Sequence, residues 1–209
     1  YPLIRATRLN ARLILVGDMF QLPPVGPGQV LSDIIDSQSI PVCQLHTIFR
    51  QAAESEIVVN AHKVRSGEIP ALPTLQTDTA DRSEFAFIEA ATPEAISTAI
   101  LDLCTRRLPQ SAGFDPMRDI QVVSPIHKGV AGTIDLNRKL QRALNESPRQ
   151  LAGPHHNFQT GDRVMHIRNN YAKEVFNGDI GIVTGIDAER QRLTADFYGR
   201  PVHYSPEDI

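Results

Sequence analysis

Short continuous apolar runs alternate with helical periodicity as far as about residue 144, where the helical period stops and only strand-like segments follow. The run "RLILV" (Arg12–Val16), apolar almost throughout and ended by Gly17, suits a strand covered on both faces. "VCQL" (Val42–Leu45), "FAFIEA" (Phe85–Ala90) and "DIQVVSP" (Asp119–Pro125) have the same character. Helical segments lie between them. Residues 29–37 form one; Ala52–Val64 places Ile57, Ala61 and Val64 on one face, with Gly67 as its cap. A third opens at Thr92 with Pro93 and Glu94 in its first turn, and a fourth, over 128–144, carries Ile134, Leu136, Leu140 and Leu144 in helical register. Tyr1–Leu9 reads as the end of a helix. This order predicts an α/β fold with a parallel sheet.

Beyond the boundary "NESPRQLAGPHHNF" (Asn145–Phe158), four close strands are predicted: Asp162–Arg168, Gly178–Asp187, Arg192–Tyr198 and Pro201–Tyr204, with Asn-Gly and Gly-Arg at turns. Such a segment predicts a small all-β barrel.

Net charge is −3, from 21 basic and 24 acidic residues, which argues against a simple basic binding module. Any nucleic-acid contact must come from local placement of Lys and Arg. Cys43 and Cys104 sit among apolar neighbours and read as buried thiols, so a reducing, cytoplasmic setting is expected. No run of 18 apolar residues and no signal-peptide pattern occurs, so neither a membrane partner nor export is expected. The start at "YPLIRATRLN", without Met, reads as an excerpt of a longer protein. The seven histidines make no ligand pattern, His155 and His156 being adjacent rather than spaced for shared coordination, and no metal site is expected through them.

In an open parallel sheet, ligands sit beyond the carboxyl ends of strands. Gly17, Asp18 and Gln21 in "GDMFQLPPVGPG" have that position, and the stiff "PPVGPG" run would hold the Gln21 amide in place. Local chemistry alone fits a rigid surface turn capped by Asp18 at least as well. Arg50 in "LHTIFRQ" has a planar fork suited to phosphate, and equally to a salt bridge. "SPIHKGVAG" (Ser124–Gly132) offers Ser124, His127, Lys128 and backbone amides near a helix start, a suitable place for an anion. No acid stands at a spacing that would orient His127 as a base. In "RNNYAKEVFNGDIGIV", Asn169, Asn170 and Tyr171 can pair with and stack on single-stranded bases; alternatively Tyr171 and Phe176 pack the core, while Asn177 and Gly178 form an ordinary turn.

Taken in order, "LILVGDMFQLPPVGPGQVLSDII", "QLHTIFRQ", "VVSPIHKGVAG" with "LN" and "LQRALN", and "GDRVMHIRNNYAKEVFNGDIGIV" resemble the RecD-like branch of superfamily-1 DNA helicases, of exodeoxyribonuclease V alpha-subunit type. The likeness covers nearly the whole chain and is weakest over residues 70–118.

The resemblance implies partial RecA-like P-loop NTPase domains followed by an SH3-like β-barrel. Residues 1–45 are then the C-terminal part of the first motor domain, 46–149 the N-terminal part of the second, and 150–209 the barrel insertion. Gln21 is expected to sense the ATP γ-phosphate with Asp18 supporting its loop, and Gly17, Gln21 and Arg50 to form the nucleotide side. Arg50 would act as an arginine finger. Pro23, Pro24, Ser124, His127, Lys128, Asn169, Asn170 and Tyr171 are expected to face single-stranded DNA. The implied activity couples ATP hydrolysis, with Mg2+, to 5′–3′ translocation and duplex unwinding in DNA repair or recombination, with nuclease or other recombination subunits as further partners. No G-x-x-x-x-G-K-[ST] loop occurs, so these residues alone are expected to be inactive. Exposed sheet edges could dimerise them. A nucleic-acid-stimulated P-loop ATPase without unwinding, and a non-catalytic DNA- or protein-binding module, are the alternatives.

Overall fold

The computed structural model describes residues 2–21, 26–45, 55–70, 84–148, 150–152 and 157–209. The chain divides into two units, Tyr1–Ile88 and Glu89–Ile209. The first contains three helices among its described residues: α1 (Pro2–Ala6), α2 (Val30–Ser37) and α3 (Glu56–Arg65). At the start of α2, the Asp33 carboxylate accepts from the Gln29 amide at 3.3 Å. Helix α3 carries Lys63 and Arg65 in its last turn, where cations complement the helix dipole. Gly67, at φ +77°, closes it by donating its N–H to the Val64 carbonyl.

The expected strands Arg12–Val16 and Val42–Leu45 do not form. Ile14 is 80% exposed and Val16 92%. A parallel strand depends wholly on neighbours supplied by distant chain, and the described backbone bonds of this unit join near neighbours in sequence. For the same reason the apolar face of α3 lies open: Ile57 and Val64 are exposed and the buried residue is Asn60. Cys43, expected inside, is exposed; Cys104 is buried as expected.

The second unit begins with α4 (Pro93–Asp102), whose first turn is capped by the Thr92 hydroxyl accepting from the Ala95 amide at 3.1 Å. It runs through a π-helical turn, Leu103–Arg107, into α5 (Leu108–Ala112), and Gly113 at φ +71° ends it. Pro109 lacks an N–H and its ring would crowd the carbonyl of Thr105; the widened turn just before it relieves that conflict. Helix α6 (Thr133–Leu144) buries Leu136, and its Lys139 donates to the Ser97 hydroxyl of α4 at 2.9 Å. Phe85–Ala90 and Asp119–Pro125, also expected as strands, are not strands.

From Gln150 the described elements are all strands. β1 (Gln150–Ala152) and β2 (Asn157–Gln159) form an antiparallel hairpin. This strand pair falls almost wholly within the segment read as a boundary, because three-residue strands carry too short a pattern to show. β3 (Arg163–Met165), β4 (Ile180–Asp187), β5 (Arg192–Phe197) and β6 (Arg200–Tyr204) form an antiparallel meander in sequence order. The four predicted strands are all present. Alternation puts Leu193, Ala195 and Phe197 of β5, and Val202 and Tyr204 of β6, into one core with Leu151, Val175 and Val183. Gly181 is required there: a Cβ would stand 2.6 Å from the Asp196 carbonyl oxygen and 2.9 Å from the Phe197 ring.

β3 and β6 are the two edges of this sheet, so among the described residues the small β-barrel expected here is a meander without a backbone ladder between its first and last strands. Side chains span the gap instead. The Tyr204 hydroxyl lies 3.3 Å from His166 Nδ1, and Lys173 donates to the His203 carbonyl at 2.6 Å and to Asp208 at 3.0 Å. Glu174, at φ +51°, pairs with Arg200.

Candidate functional site

The Gly17–Gln21 turn is built around Asp18. One carboxylate oxygen accepts from the Phe20 amide at 2.9 Å, and the other from Gln21 Nε2 at 3.1 Å. An Asx turn of this kind closes locally, which is why it forms while the preceding strand does not. Gln21, by valence, retains a second amide proton and its carbonyl oxygen for a ligand. Gly17 lies against α2: a Cβ there would stand 2.8 Å from the Leu31 side chain. The Arg65 guanidinium sits 4.2 Å from the centre of the Phe20 ring, tying the turn to α3. Spacing alone did not indicate that contact. Arg50, Pro23 and Pro24 lie outside the described residues.

The Ser124–Gly132 segment folds into a tight loop on the first turn of α6. The Ser124 hydroxyl donates to the Ala131 carbonyl at 2.9 Å; Thr133 N–H bonds to the Ile126 carbonyl, and Ile134 N–H to that of His127. His127 Nδ1 lies 3.2 Å from the Thr133 hydroxyl. Two of the amides expected to meet an anion are therefore used by the loop itself, and Ser124 is a loop-building residue. His127 and Lys128 remain exposed at the tip.

In the β-module, Asn169 and Asn170 both organise the loop that follows β3. The Asn169 side-chain oxygen accepts from the Asn177 amide at 2.9 Å, and that of Asn170 from the Lys173 amide at 3.1 Å. Each keeps an NH2 group by valence. Tyr171 is 76% exposed and meets Phe176 edge to face at 5.8 Å, so this pair is a surface platform rather than core. Asn177 and Gly178 make the turn, with Gly178 at φ +96°.

A buried carboxylate that the sequence reading did not single out joins α6 to this module. Asp162 is 8% exposed and accepts from Gln141 Nε2 at 2.5 Å, Asn145 Nδ2 at 2.7 Å and the Gln159 amide at 2.7 Å. Its signal was the Gln141/Asn145 spacing of four on an otherwise amphipathic helix.

Among the described residues there is no group of three or more His, Cys, Asp or Glu that could hold a metal ion, and no helix long and apolar enough to cross a membrane. No phosphate-cradling G-x-x-x-x-G-K-[ST] loop occurs in the sequence.

Two family models match the chain: "AAA domain" over residues 3–82 and "ATP-dependent RecD-like DNA helicase SH3 domain" over residues 136–197. The second match starts within α6, the helix that Asp162 holds to the β-module. The chain is 32% identical over 207 residues, 99% of its length, to the ATP-dependent RecD2 DNA helicase of Deinococcus radiodurans, and spans 26% of that protein. It is 31% identical over 192 residues, 87% of its length, to the RecBCD enzyme subunit RecD of Mycobacterium tuberculosis, spanning 32% of it. The RecD of Mycolicibacterium smegmatis is 28% identical over 190 residues, again 87% of this chain and 33% of the relative.

The chain therefore belongs to the RecD-like helicase family, with an AAA-type α/β region followed by an SH3-like β region. It spans about a quarter to a third of the length of these relatives.

Proposed function

We propose that these residues belong to an ATP-dependent DNA helicase that couples ATP hydrolysis to 5′–3′ movement on single-stranded DNA and duplex unwinding, in DNA repair or recombination. The observation that carries this reading is the match across 99% of the chain to a protein named an ATP-dependent DNA helicase. Domain limits of 1–45, 46–149 and 150–209 go with it. Gln21, set by Asp18, and Arg50 are the residues proposed to face the nucleotide, together with Gly17. ATP and Mg2+ are proposed as cofactors of the complete protein, with the phosphate-cradling loop supplied by residues other than these.

The DNA side is proposed to comprise Lys128 and His127 at the loop tip, Pro23, Pro24 and Ser124, and the Asn169–Tyr171 platform. An exposed Tyr flanked by amide NH2 groups and by Arg168 suits stacking on unpaired bases with a backbone contact beside it. Nuclease or other recombination subunits are proposed partners, and the cytoplasm the setting.

The test is steady-state ATP turnover of the complete protein, with and without single-stranded DNA, beside Arg50→Ala. DNA-stimulated turnover that Arg50→Ala removes while ATP still binds supports the motor reading and the Arg50 role. Turnover that survives removes the role, and an intact protein without DNA-dependent turnover overturns the reading.

A further inference from the structure

Asp162 and Arg163 are consecutive, and between them they hold both ends of the segment 120–145. The Asp162 carboxylate takes Gln141 from the last turn of α6 and Asn145 from its C-cap. Arg163 Nη1 donates to the Ile120 carbonyl at 2.7 Å, at the start of the segment that leads to the Ser124–Gly132 loop. That loop is fastened to the opposite end of α6 by the Thr133 and Ile134 amides. The helix is 12 residues long, a rigid strut of about 18 Å.

Asp162 is equally fixed on its own side. Its N–H donates to the Gln159 carbonyl and its carbonyl accepts from Val183 N–H of β4. Gln141 also reaches the Asn157 carbonyl and Asn145 the Thr160 carbonyl, so the helix end meets the β-module through several bonds that converge on one buried anion. Charge-assisted bonds of this kind are the stronger ones, and their partial loss leaves a buried charge under-satisfied. Downstream of β3, the His166–Asp179 and Asn170–Val175 backbone bonds hold the Asn169–Tyr171 platform to the same module.

We propose that the Asp162–Arg163 pair is a bracket that makes the Lys128 loop and the Tyr171 platform one rigid nucleic-acid surface, with Asp162 as its positioning residue. The proposal rests on the single-stranded-DNA reading above. Two contacts on a rigid body bind one strand with a high effective concentration for the second contact once the first is made; that advantage falls when the connection loosens. A carboxylate that merely stabilised the fold would change stability without changing how the two contacts depend on each other.

The experiment is a set of double-mutant cycles on the complete protein, titrating a fluorescent oligothymidylate. Lys128→Ala and Tyr171→Ala are made singly and together, in the native background and with Asp162→Asn. In the native background each single change should weaken binding, and Lys128→Ala should cost less, by about threefold or more, once Tyr171 is already Ala. With Asp162→Asn that difference should shrink markedly, and binding by the otherwise native protein should fall about tenfold. Gln141→Ala with Asn145→Ala keeps the carboxylate while removing its helix donors; it must reproduce the effect, and it decides the matter if Asp162→Asn does not fold. An unchanged difference in these backgrounds overturns the bracket alone. If Lys128→Ala and Tyr171→Ala both bind like the native protein, the DNA-surface reading itself fails and the bracket with it.

Discussion

The Tyr204 hydroxyl lies 3.3 Å from Nδ1 of His166, joining β6 to the chain beyond β3 where no backbone ladder does. The Lys173 ammonium stands 5.3 Å from the centre of the same tyrosine ring, which is 7% exposed. The open side of the β-module is thus closed by one aromatic side chain and the groups around it.

Removing only the hydroxyl, as in Tyr204→Phe, should cost about 1 kcal/mol, whereas Tyr204→Ala should cost about 3–5 kcal/mol through the cavity it leaves. Chemical denaturation followed by β-sheet circular dichroism measures both. Equal losses for the two variants would show that the hydroxyl, and not the ring, closes the sheet.

The Tyr204 phenol is pushed up to about 12, chiefly by burial and then by the Asp208 and Asp179 carboxylates. The unfolded phenol ionises near 10, so its stabilising effect is complete below that pH and is lost as pH rises from about 10 through about 12. Thermal melts across that range should fall more steeply for the native protein than for Tyr204→Phe. Parallel profiles would rule out this origin.

Asp208 behaves in the opposite sense. The Ser205 backbone amide, aided by the Ser205 hydroxyl and Lys173, holds its carboxyl below the ordinary value of 3.8. Its contribution is present above that value and is lost as pH falls through it toward the lower folded value. Asp208→Asn should therefore destabilise at neutral pH and match the native protein in strong acid. Denaturant midpoints compared at both conditions check this.

Gly132→Ala tests the loop on α6. Its Cβ would lie 2.6 Å from the carbonyl oxygens of both His127 and Lys128, which are backbone atoms and cannot swing aside. The loop must open, so the Thr133 and Ile134 amides should lose their protection from hydrogen exchange. Oligothymidylate binding should weaken about as much as with Lys128→Ala, by roughly three- to tenfold.

Asp18→Ala removes both acceptors that shape the Gln21 turn. On the reading of Gln21 as a nucleotide-facing amide, DNA-stimulated ATP turnover of the complete protein should fall about tenfold, some 1.4 kcal/mol of barrier. Gln21→Ala should be no less severe, and the double variant no worse than Gln21→Ala alone, since Asp18 acts through that amide.

Helix starts and stops were legible because they are local chemistry. Thr92 before Pro93, and Gly67 after Val64, act on amides and carbonyls within a few residues. The Asp18 turn was legible for the same reason, as were β4 to β6, whose partners follow one another across short turns. The apolar runs at Arg12–Val16 and Val42–Leu45 announce burial without naming a neighbour, and among the described residues they have no strand partner.

The sequence by itself determined the family, through four motif blocks in order, the Thr92 and Gly67 helix caps, the Asp18 and Asn177-Gly178 turns, and the meander strands. Only the tertiary structure decided that Asn169 and Asn170 serve their own loop, that Tyr171 stands out from the core, and that Gln141, Asn145 and Asp162 converge. Hydrogen bonds across 17 or 21 residues depend on where an intervening helix and hairpin direct the chain. Residue spacing carries the period of each element but not the angle at which two elements meet, and a buried carboxylate is satisfied or stranded by that angle.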